Sequence, residues 1–347
     1  MFYSYGLKEV VQGLLNQRRL SIRLFSMAFQ SNVIEADKCS ETVLGSAKRR
    51  GLSTFIDLFC GIGGFHIASS NLGMQCVFAC DIDAEARKAY EHNYNLKPQE
   101  DITRISATEV PDHDLLCAGF PCQPFSIIGQ RKGFCDPRGT LFEEIIKIAK
   151  EKKPKAIILE NVRRLAYSNQ GNDLKRIKVK FEKLGYTVDS KVLNALDFGL
   201  PQKRERVVIV GMLGGLGNFS WPSRPVPMKP LSEVLEPNPD PKHYVSELIR
   251  QSRHQAHKAK QKPAIWHENK SGNVSSHPFS CTLRAGASYN YLLVDGERRL
   301  TPREMLRLQG FPDTFEIVCN NSQTRKQAGN AVPVPMIQSV IESILNA

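Results

Sequence analysis

The chain has 347 residues and a formal charge of +12; the length favours one large domain with a smaller one appended, and the charge favours nucleic acid over an anionic membrane as partner. Its nine cysteines follow no disulfide framework and include no CxxC pair, which favours a reducing cytoplasm and argues against a secreted protein or a metal site. No apolar run approaches the ~20 residues that span a bilayer, which excludes an integral membrane protein.

The first 50 residues form an extension that begins with helical periodicity. Residues 7 to 15 place Leu and Val side chains on one helical face, and Arg18, Arg19 and Arg23 follow. We predict an accessory amphipathic helix rather than an organelle transit peptide, because the segment contains Glu9 and lacks corroborating signals. Met27 is an alternative start of the protein.

From residue 54, apolar strand-like segments alternate with amphipathic helical segments. This pattern is typical of repeated βαβ units and predicts an α/β fold, a doubly wound and mostly parallel Rossmann-like sheet covered on both faces. The predicted strands are 54–59, 76–81, 114–118, 156–159, 187–193 and 206–211, and the predicted helices are 64–72, 84–94, 140–151 and 172–184.

The first strand feeds a glycine turn, Cys60-Gly61-Ile62-Gly63-Gly64, and then a helix. Missing side chains let a ligand approach the backbone there. Asp81 ends the next strand, where a carboxylate can accept a hydrogen bond from a ribose hydroxyl in this type of fold. A packing turn is the alternative, and His66 departs from a full dinucleotide fingerprint. With a further acidic turn at Asp101-Ile102, we favour a nucleoside-bearing ligand.

Two neighbouring strands end in reactive side chains. The strand at 114–118 runs through Pro121 into Cys122, and the strand at 156–159 runs directly into Glu160. A thiol beyond a buried strand is placed to react, and a carboxyl held at the sheet edge can keep a proton available. The glycines and basic residues of 126–140 resemble a mobile lid. We therefore predict covalent catalysis, against the alternatives of a buried thiol and a surface acid.

A charged run, Gln202 to Arg206, precedes the last predicted strand. Alternation along an extended segment puts Gln202, Arg204 and Arg206 on one side. A solvated charge run is the alternative, but the strand that follows favours an inward-facing, anion-binding pair of arginines.

After Gly211 the composition changes to Gly- and Pro-rich segments. Residues 212–280 hold nine Lys and Arg against five Asp and Glu, and five of the eight histidines. Helical periodicity returns at 301–309 and 335–345. We predict an extension (1–50), a cofactor-binding and catalytic domain (51–211), a small basic insertion (212–280) and a return to the large domain (281–347).

Taken together, these motifs resemble those of the cytosine-5 DNA methyltransferases, in the family's order over most of residues 54–345. The matching segments are Asp57-Leu58-Phe59-x-Gly61-x-Gly63-Gly64, Gly119-Phe120-Pro121-Cys122-Gln123, Asp136-x-Arg138-Gly139-x-Leu141-Phe142, Glu160-Asn161-Val162, Gln202-x-Arg204-x-Arg206, Leu300-Thr301-Pro302-Arg303-Glu304 and Gly329-Asn330-Ala331-Val332-Pro333.

The resemblance implies S-adenosyl-L-methionine as the cofactor, bound at matching positions. Ile82 departs from the family pattern, because many members carry an aromatic residue there. The implied contacts are Phe59, Gly61, Ile62, Gly63 and Gly64 in the turn, Asp81 at the ribose, Ile82, Asp101 and Ile102 near the adenine, and Gly119, Pro121, Leu141, Asn330 and Val332 elsewhere.

The resemblance also implies a chemistry. The Cys122 thiolate would add to C6 of a cytosine flipped out of duplex DNA, while Glu160 interacts with N3 and Arg206, assisted by Arg204, faces O2 or a nearby phosphate. The implied substrate contacts are Gln123, Ser126, Asn161 and Gln202, and 212–280 corresponds to the target-recognition region.

A catalytic core without large regulatory domains favours a bacterial modification methylase in the cytoplasm. We expect it to act as a monomer on double-stranded DNA, with no membrane partner and no bound metal. A restriction endonuclease acting on the same site is a candidate partner. The alternatives are a transfer RNA cytosine-5 methyltransferase of the same fold and a noncatalytic nucleic-acid-binding regulator.

Overall fold

The computed structural model describes residues 51–121, 139–223 and 225–347, and the side chains of 141–223 within the second range. The predicted extension (1–50) and its amphipathic helix therefore lie outside the described residues. So do Cys122, Gln123 and Ser126, together with most of the predicted lid.

A six-stranded sheet forms the centre of the large domain. Its strand order is β2-β1-β3-β4-β7-β5, and β7 runs antiparallel to both of its neighbours while the other five strands are parallel. The α/β prediction of a mostly parallel sheet is confirmed. The strands of this part of the chain are β1 (Thr54–Leu58), β2 (Gln75–Cys80), β3 (Leu115–Ala118), β4 (Ala156–Val162), β5 (Tyr186–Asn194), β6 (Gln202–Lys203) and β7 (Glu205–Leu213).

Nine α-helices lie in the described ranges, and each helix predicted between residues 64 and 184 is present with bounds within two residues of the prediction. They are α1 (Gly64–Ser70), α2 (Ala84–Tyr94), α3 (Gly139–Lys152), α4 (Asn172–Glu182), α5 (Leu231–Val234), α6 (Glu247–Ala256), α7 (Pro302–Leu308), α8 (Asn321–Asn330) and α9 (Val334–Leu345). None of the helices described is long and apolar enough to cross a membrane.

Alternating side chains of the central strands form an apolar layer on each face of the sheet. On β1, Phe55 belongs to one layer and Ile56 to the other, as the two-residue period of a strand requires. Helices α1 and α9 cover the first layer, and α3 and α4 cover the second, with Ile177 and Phe181 of α4 fully buried. Complete burial of such side chains stabilises the fold by roughly 1.5–3 kcal/mol each.

A second sheet, β12-β11-β8-β9, forms the centre of the small domain. Leu292–Val294 (β11) pairs antiparallel with Ile265–Glu268 (β8), so this sheet takes strands from both sides of residue 280. The predicted boundary at 280 would divide it, because composition marks where the insertion begins but not which distant strands pair. Its other strands are β9 (Val274–His277) and β12 (Arg298–Arg299), while β10 (Ser280–Cys281) pairs with β6.

Strand β4 extends beyond its predicted end. Pairing with parallel β3 stops at Leu159, but the antiparallel ladder to β7 continues, with Glu160 opposite Val208 and Asn161 opposite Val207. The sequence predicted that Glu160 directly follows the strand. In the structure, Glu160 lies within it. The other edge of β4 is left open where β3 has ended, and this opening leads to the candidate site.

Candidate active site

A cavity of about 470 Å³ lies at the carboxyl ends of the parallel strands. Ligands bind at this end of open α/β sheets, in the crevice where the connections from two neighbouring strands leave toward opposite faces of the sheet. Most of the predicted site residues come together around it. Those in its wall are Phe59, Gly61, Gly64, Asp81, Ile82, Gly119, Pro121, Glu160, Asn161, Arg204, Arg206, Asn330 and Val332.

The turn after β1 forms one wall of the cavity. The φ angles of Phe59 (57°), Gly61 (54°) and Gly63 (83°) are positive, a conformation that glycine adopts without strain. A Cβ on Gly61 would meet no atom within 4 Å, whereas a Cβ on Gly64 would lie 2.6 Å from Val332 Cγ2. Gly61 thus leaves room inside the cavity, and Gly64 lets α1 approach the opposite wall.

Asp81 links this turn to the end of β2. Its Oδ2 accepts a hydrogen bond from the Gly61 amide at 2.7 Å, and its Oδ1 accepts one from the Asp83 amide at 2.8 Å. Burial nevertheless raises the pKa of Asp81. Ile82 follows with 68% of its surface exposed. A carboxylate beside an exposed aliphatic side chain and an open glycine turn fits the sugar and base of a nucleoside.

Five predicted cofactor residues do not line the cavity. Ile62 and Ile102 are buried in the core, and a Cβ on Gly63 would lie 2.3 Å from the Tyr94 ring. The Asp101 carboxylate accepts hydrogen bonds from Thr103, at its amide and hydroxyl. The residues absent from the wall are Ile62, Gly63, Asp101, Ile102 and Leu141.

His66 belongs to the structural support of the turn. Its Nδ1 lies 2.7 Å from Tyr90 Oη, and its ring stacks on Tyr94 with the centroids 3.9 Å apart. Burial lowers the pKa of His66 to about 4, so the imidazole is neutral near pH 7. His66, which departs from the dinucleotide fingerprint, therefore belongs to an aromatic cluster that supports the turn.

Glu160 and Arg206 form the charged centre of the cavity. Arg206 Nε lies 2.8 Å from Glu160 Oε1, and both side chains are only 10% exposed. The N–H does not point at this oxygen closely enough for a good hydrogen bond, so Oε1 has no hydrogen-bond partner among the described residues. An antiparallel neighbour places the two together, because Glu160 on β4 and Arg206 on β7 are two residues apart in the ladder.

Arg204 is fully buried and is occupied by backbone groups. Its guanidinium donates to the carbonyl oxygens of Leu283 (3.0 Å), Gly329 (3.0 Å) and Ala331 (2.8 Å). Burial, and secondarily the charge of Arg206, lowers the pKa of Arg204. Arg204 thus connects three returning segments of backbone, and only Arg206 of the two presents its charge beside Glu160.

Asn161 reaches across the open edge of β4. Its Nδ2 donates to the carbonyl of Phe120 at 2.9 Å, while its Oδ1 accepts from the Val162 amide. The hydrogen bond fixes the backbone just before Pro121, which lines the cavity and is the last described residue on this side of Cys122.

Gln202 does not reach the cavity. Its fully buried amide donates to the Leu308 carbonyl at 2.8 Å and accepts from the Leu283 amide at 3.0 Å. Alternation predicted one shared side for Gln202, Arg204 and Arg206, but β6 ends at Lys203 and a new strand begins at Glu205. The break in the strand lets the three side chains serve different surroundings.

Two residues that sequence reasoning missed close one rim of the cavity. Lys326 Nζ donates to Asp83 Oδ2 at 2.6 Å, and Gln327 Nε2 donates to the Glu85 carbonyl at 3.0 Å. These contacts join α8 to the first turn of α2. Their position directly before the Gly329-Asn330 motif was the available signal. No group of three His, Cys, Asp or Glu side chains suited to a metal ion occurs in the part of the chain that the structure describes.

Comparison with known proteins shows that the chain is similar to cytosine-specific DNA methyltransferases, both by a family model and by individual relatives. A family model for C-5 cytosine-specific DNA methylase matches residues 53–346. The chain is 53% identical over 295 residues to the type II methyltransferase M.HaeII of Haemophilus aegyptius, covering 84% of this chain and 92% of that protein. It is 38% identical over 306 residues to the type II methyltransferase M.HhaI of Haemophilus parahaemolyticus, covering 84% and 93%.

Solved structures share the fold at lower identity. The methyltransferase EhMeth of Entamoeba histolytica superposes with a TM-score of 0.69 at 18% identity, covering 85% of this chain and 98% of its own. The Dnmt2 methyltransferase of S. pombe gives 0.66 at 22% identity, with the same coverage.

Proposed function

The chain belongs to the C-5 cytosine-specific DNA methylase family, and on that premise we propose that it methylates C5 of cytosine within a specific duplex DNA sequence, as the modification enzyme of a type II restriction–modification system. The observation that carries the proposal is the shared cavity. The glycine turn with Asp81 and the Glu160–Arg206 pair both line it. A methyl donor and a target base would meet between them.

S-adenosyl-L-methionine is the expected cofactor, and the turn fits it. When bound, it supplies the methyl group as an electrophilic methylsulfonium. Asp81 would accept hydrogen bonds from the ribose hydroxyls, and Ile82 would pack against the adenine. The missing side chain of Gly61 leaves the space that this ligand needs. Val332 and Gly119 would bound the site on the other side.

Cys122 would provide the nucleophile. Cytosine C5 attacks an electrophile poorly, and addition of the thiolate to C6 forms an S–C6 bond and shifts electron density toward C5. Once C5 carries the methyl group, water would accept the C5 proton, the C–H electrons would re-form the C5–C6 double bond, and cleavage of the S–C6 bond would return the thiolate and restore the aromatic ring. The hydrogen bond from Asn161 to Phe120 supports this role, because it fixes the backbone two residues before Cys122.

Glu160 and Arg206 would stabilise the ring during addition. Negative charge develops at N3 and O2 when the thiolate adds, and a preorganised donor and cation lower the energy of that state. Glu160 would contact N3 and act there as the proton donor, with Arg206 on the O2 side. Because the ring edge cannot reach these groups inside a stacked duplex, the target cytosine would be flipped out, with Gln123 and Ser126 as contacts.

The small domain around β8, β9, β11 and β12 would read the DNA sequence. Its position after the catalytic strands and its basic insertion support this assignment. We expect the enzyme to act as a monomer, with a restriction endonuclease of the same specificity as its partner.

Incubation with methyl-labelled cofactor and three substrates tests the proposal: genomic duplex DNA, the same DNA heat-denatured, and a pool of transfer RNA. We expect label in duplex DNA and 5-methylcytosine after hydrolysis. The Cys122→Ser variant should bind cofactor but transfer nothing. Label confined to RNA would replace the proposed substrate, and transfer by the Ser variant would refute the assignment of the nucleophile. Bisulfite sequencing of the product then gives the recognised sequence.

A further inference from the structure

A second, smaller pocket of about 100 Å³ lies between the small domain and the return to the large one. Four of the residues that line it are Lys or Arg, namely Lys242, Arg284, Arg299 and Arg325, and none is acidic; of the four, Lys242 pairs with Asp240 outside the pocket lining. Aliphatic side chains such as Leu283 and Leu300 complete the wall. The pocket therefore combines an apolar surface with concentrated positive charge.

The three arginines of this pocket differ from most arginines of the small domain and its surroundings. Arg253, Arg298 and Arg307 each form an ion pair with a carboxylate. Within the described ranges, Arg284, Arg299 and Arg325 form no such pair. Like charges held together without a counterion raise the electrostatic energy of the free protein, so an arriving anion would relieve it.

Two tyrosine rings pack against the guanidinium groups of Arg284 and Arg325. The Arg284 guanidinium lies 4.8 Å from the centre of the Tyr291 ring, and that of Arg325 lies 4.4 Å from Tyr289 and 5.6 Å from Tyr291. The four side chains form an arginine–tyrosine stack. Arg325 also donates to the carbonyls of Ala287 and Ser288, while the Arg284 side chain makes no hydrogen bond within the described residues. Arg284 is thus oriented by stacking and retains its donors.

The stack is adjacent to the catalytic cavity. Arg204, in the cavity wall, donates to the carbonyl of Leu283, the residue before Arg284. A Cβ on Gly329 would lie 2.4 Å from the Ala285 amide nitrogen and 2.8 Å from the Arg284 carbonyl carbon. On α8, Arg325 lines the small pocket and Lys326 lines the cavity. One layer of backbone therefore separates the two sites.

We propose that Arg284 and Arg325, oriented by Tyr289 and Tyr291, bind a backbone phosphate of the DNA strand next to the flipped cytosine. The inference rests on the proposed function and adds a residue-level subsite to it. A phosphate is the anion that a DNA strand presents along its whole backbone, and a planar guanidinium can donate two parallel hydrogen bonds to it. Holding the backbone on this side would fix the strand while its base occupies the neighbouring cavity.

The first test measures how salt affects binding. Log Kobs for a duplex that the wild-type enzyme methylates is plotted against log[KCl] for wild type and Arg284→Met. Loss of one phosphate contact should make the slope less steep by about 0.9. Lys150→Met removes one charge from the exposed face of α3, outside both pockets, and should leave the slope unchanged. Equal slopes for wild type and the Arg284 variant would overturn the proposal.

A second pair of variants tests the stack. Tyr289→Phe keeps the ring face and should bind DNA like wild type, whereas Tyr289→Leu removes the ring and should weaken binding. Both should bind S-adenosyl-L-methionine as wild type does, because Tyr289 is not in the cofactor cavity. Equal DNA affinity of Tyr289→Phe and Tyr289→Leu would show that the Tyr289 ring does not orient Arg325.

Neutral linkages locate the phosphate without relying on a variant's stability. Single methylphosphonates are placed at each phosphate flanking the target cytosine, and the affinity of each duplex is measured with wild type and Arg284→Met. At one position the neutral linkage should weaken binding by wild type more than binding by the variant, which retains only Arg325 at this phosphate. If no position behaves so, the subsite is absent; competition by inorganic phosphate without such coupling would indicate a site for a free anion. Failure of wild type to methylate any duplex would instead refute the proposed function.

Discussion

Arg206 Nε lies 2.8 Å from Glu160 Oε1 at the open edge of β4, with both side chains almost buried. Strand β7 makes this contact because it runs antiparallel and brings its first residues beside the last residues of β4. In the proposed reaction, this carboxyl would donate a proton to the cytosine ring and this guanidinium would supply the neighbouring cation.

Glu160→Gln should slow methyl transfer about a hundredfold or more, because the amide cannot supply the proton at N3. DNA affinity should change little, since the side chain keeps its size. Single-turnover rates with saturating DNA separate the two effects. Glu205→Gln is the matched control, because Glu205 starts the neighbouring strand and pairs with the half-exposed Arg163. Equal loss of rate and DNA affinity in Glu160→Gln would indicate a structural role.

Arg204→Met should destabilise the protein by roughly 3 kcal/mol or more, because three backbone carbonyls would lose a charged donor. Arg163→Met removes an exposed ion pair nearby and should cost less than about 1 kcal/mol. Denaturant titration measures both free energies of unfolding. A stable Arg204→Met protein that lacks only catalytic activity would show that this arginine acts on substrate rather than on the fold.

The sequence was sufficient for the elements that depend on local patterns. The bounds of helix α2 were predicted correctly from residues at helical spacing, and in the structure an Asp83 N-cap begins the helix and Asn95 in a left-handed conformation ends it. The glycine turn and Asp81 came from the same kind of signal. The motif matches also predicted that Glu160, Arg206 and Val332 belong to one site, and all three line the cavity although they are distant in sequence.

What the sequence could not provide depends on partners distant along the chain. The length of β4 depends on β7, and the small sheet depends on pairing of β8 with β11. Gln202 and Arg204 lie in a matching motif, yet their polar groups are used by backbone from residues 283, 308, 329 and 331. A motif gives the identity of a residue, but the surrounding backbone decides whether the side chain contacts ligand or supports it.

Cofactor affinity should fall on acidification through the pKa of Asp81. Burial raises this pKa, and only the carboxylate can accept hydrogen bonds from both ribose hydroxyls. Affinity should therefore begin to weaken at a pH above the ordinary aspartate range. The stability of the fold should depend on pH in the opposite sense. Because folding raises the pKa of Asp81, the contribution of Asp81 to stability is present below the pKa of the unfolded chain and is lost as the pH rises through the pKa of the folded protein.

Isothermal titration with S-adenosyl-L-methionine at several pH values measures this dependence. Asp81→Asn should weaken binding about tenfold to a hundredfold and flatten the pH profile. Asp112→Asn serves as the control, because the exposed Asp112 carboxylate is outside the cavity and pairs with Lys152. An unchanged acidic limb in Asp81→Asn would assign the titration to another group.

Gly64→Ala should weaken cofactor binding and destabilise the protein by roughly 1–3 kcal/mol, because the new Cβ would lie 2.6 Å from Val332 Cγ2. Val332→Ala removes that methyl group, so the double variant should regain part of the loss; the Val332 carbonyl, 3.0 Å away, limits the recovery. Gly286→Ala, whose Cβ meets no atom within 4 Å, controls for the substitution itself. Thermal unfolding with and without S-adenosyl-L-methionine measures the four proteins. Strictly additive effects of the two substitutions would show that α1 does not depend on this contact with Val332, whereas recovery would establish that close packing of the turn against the returning chain shapes the cofactor site.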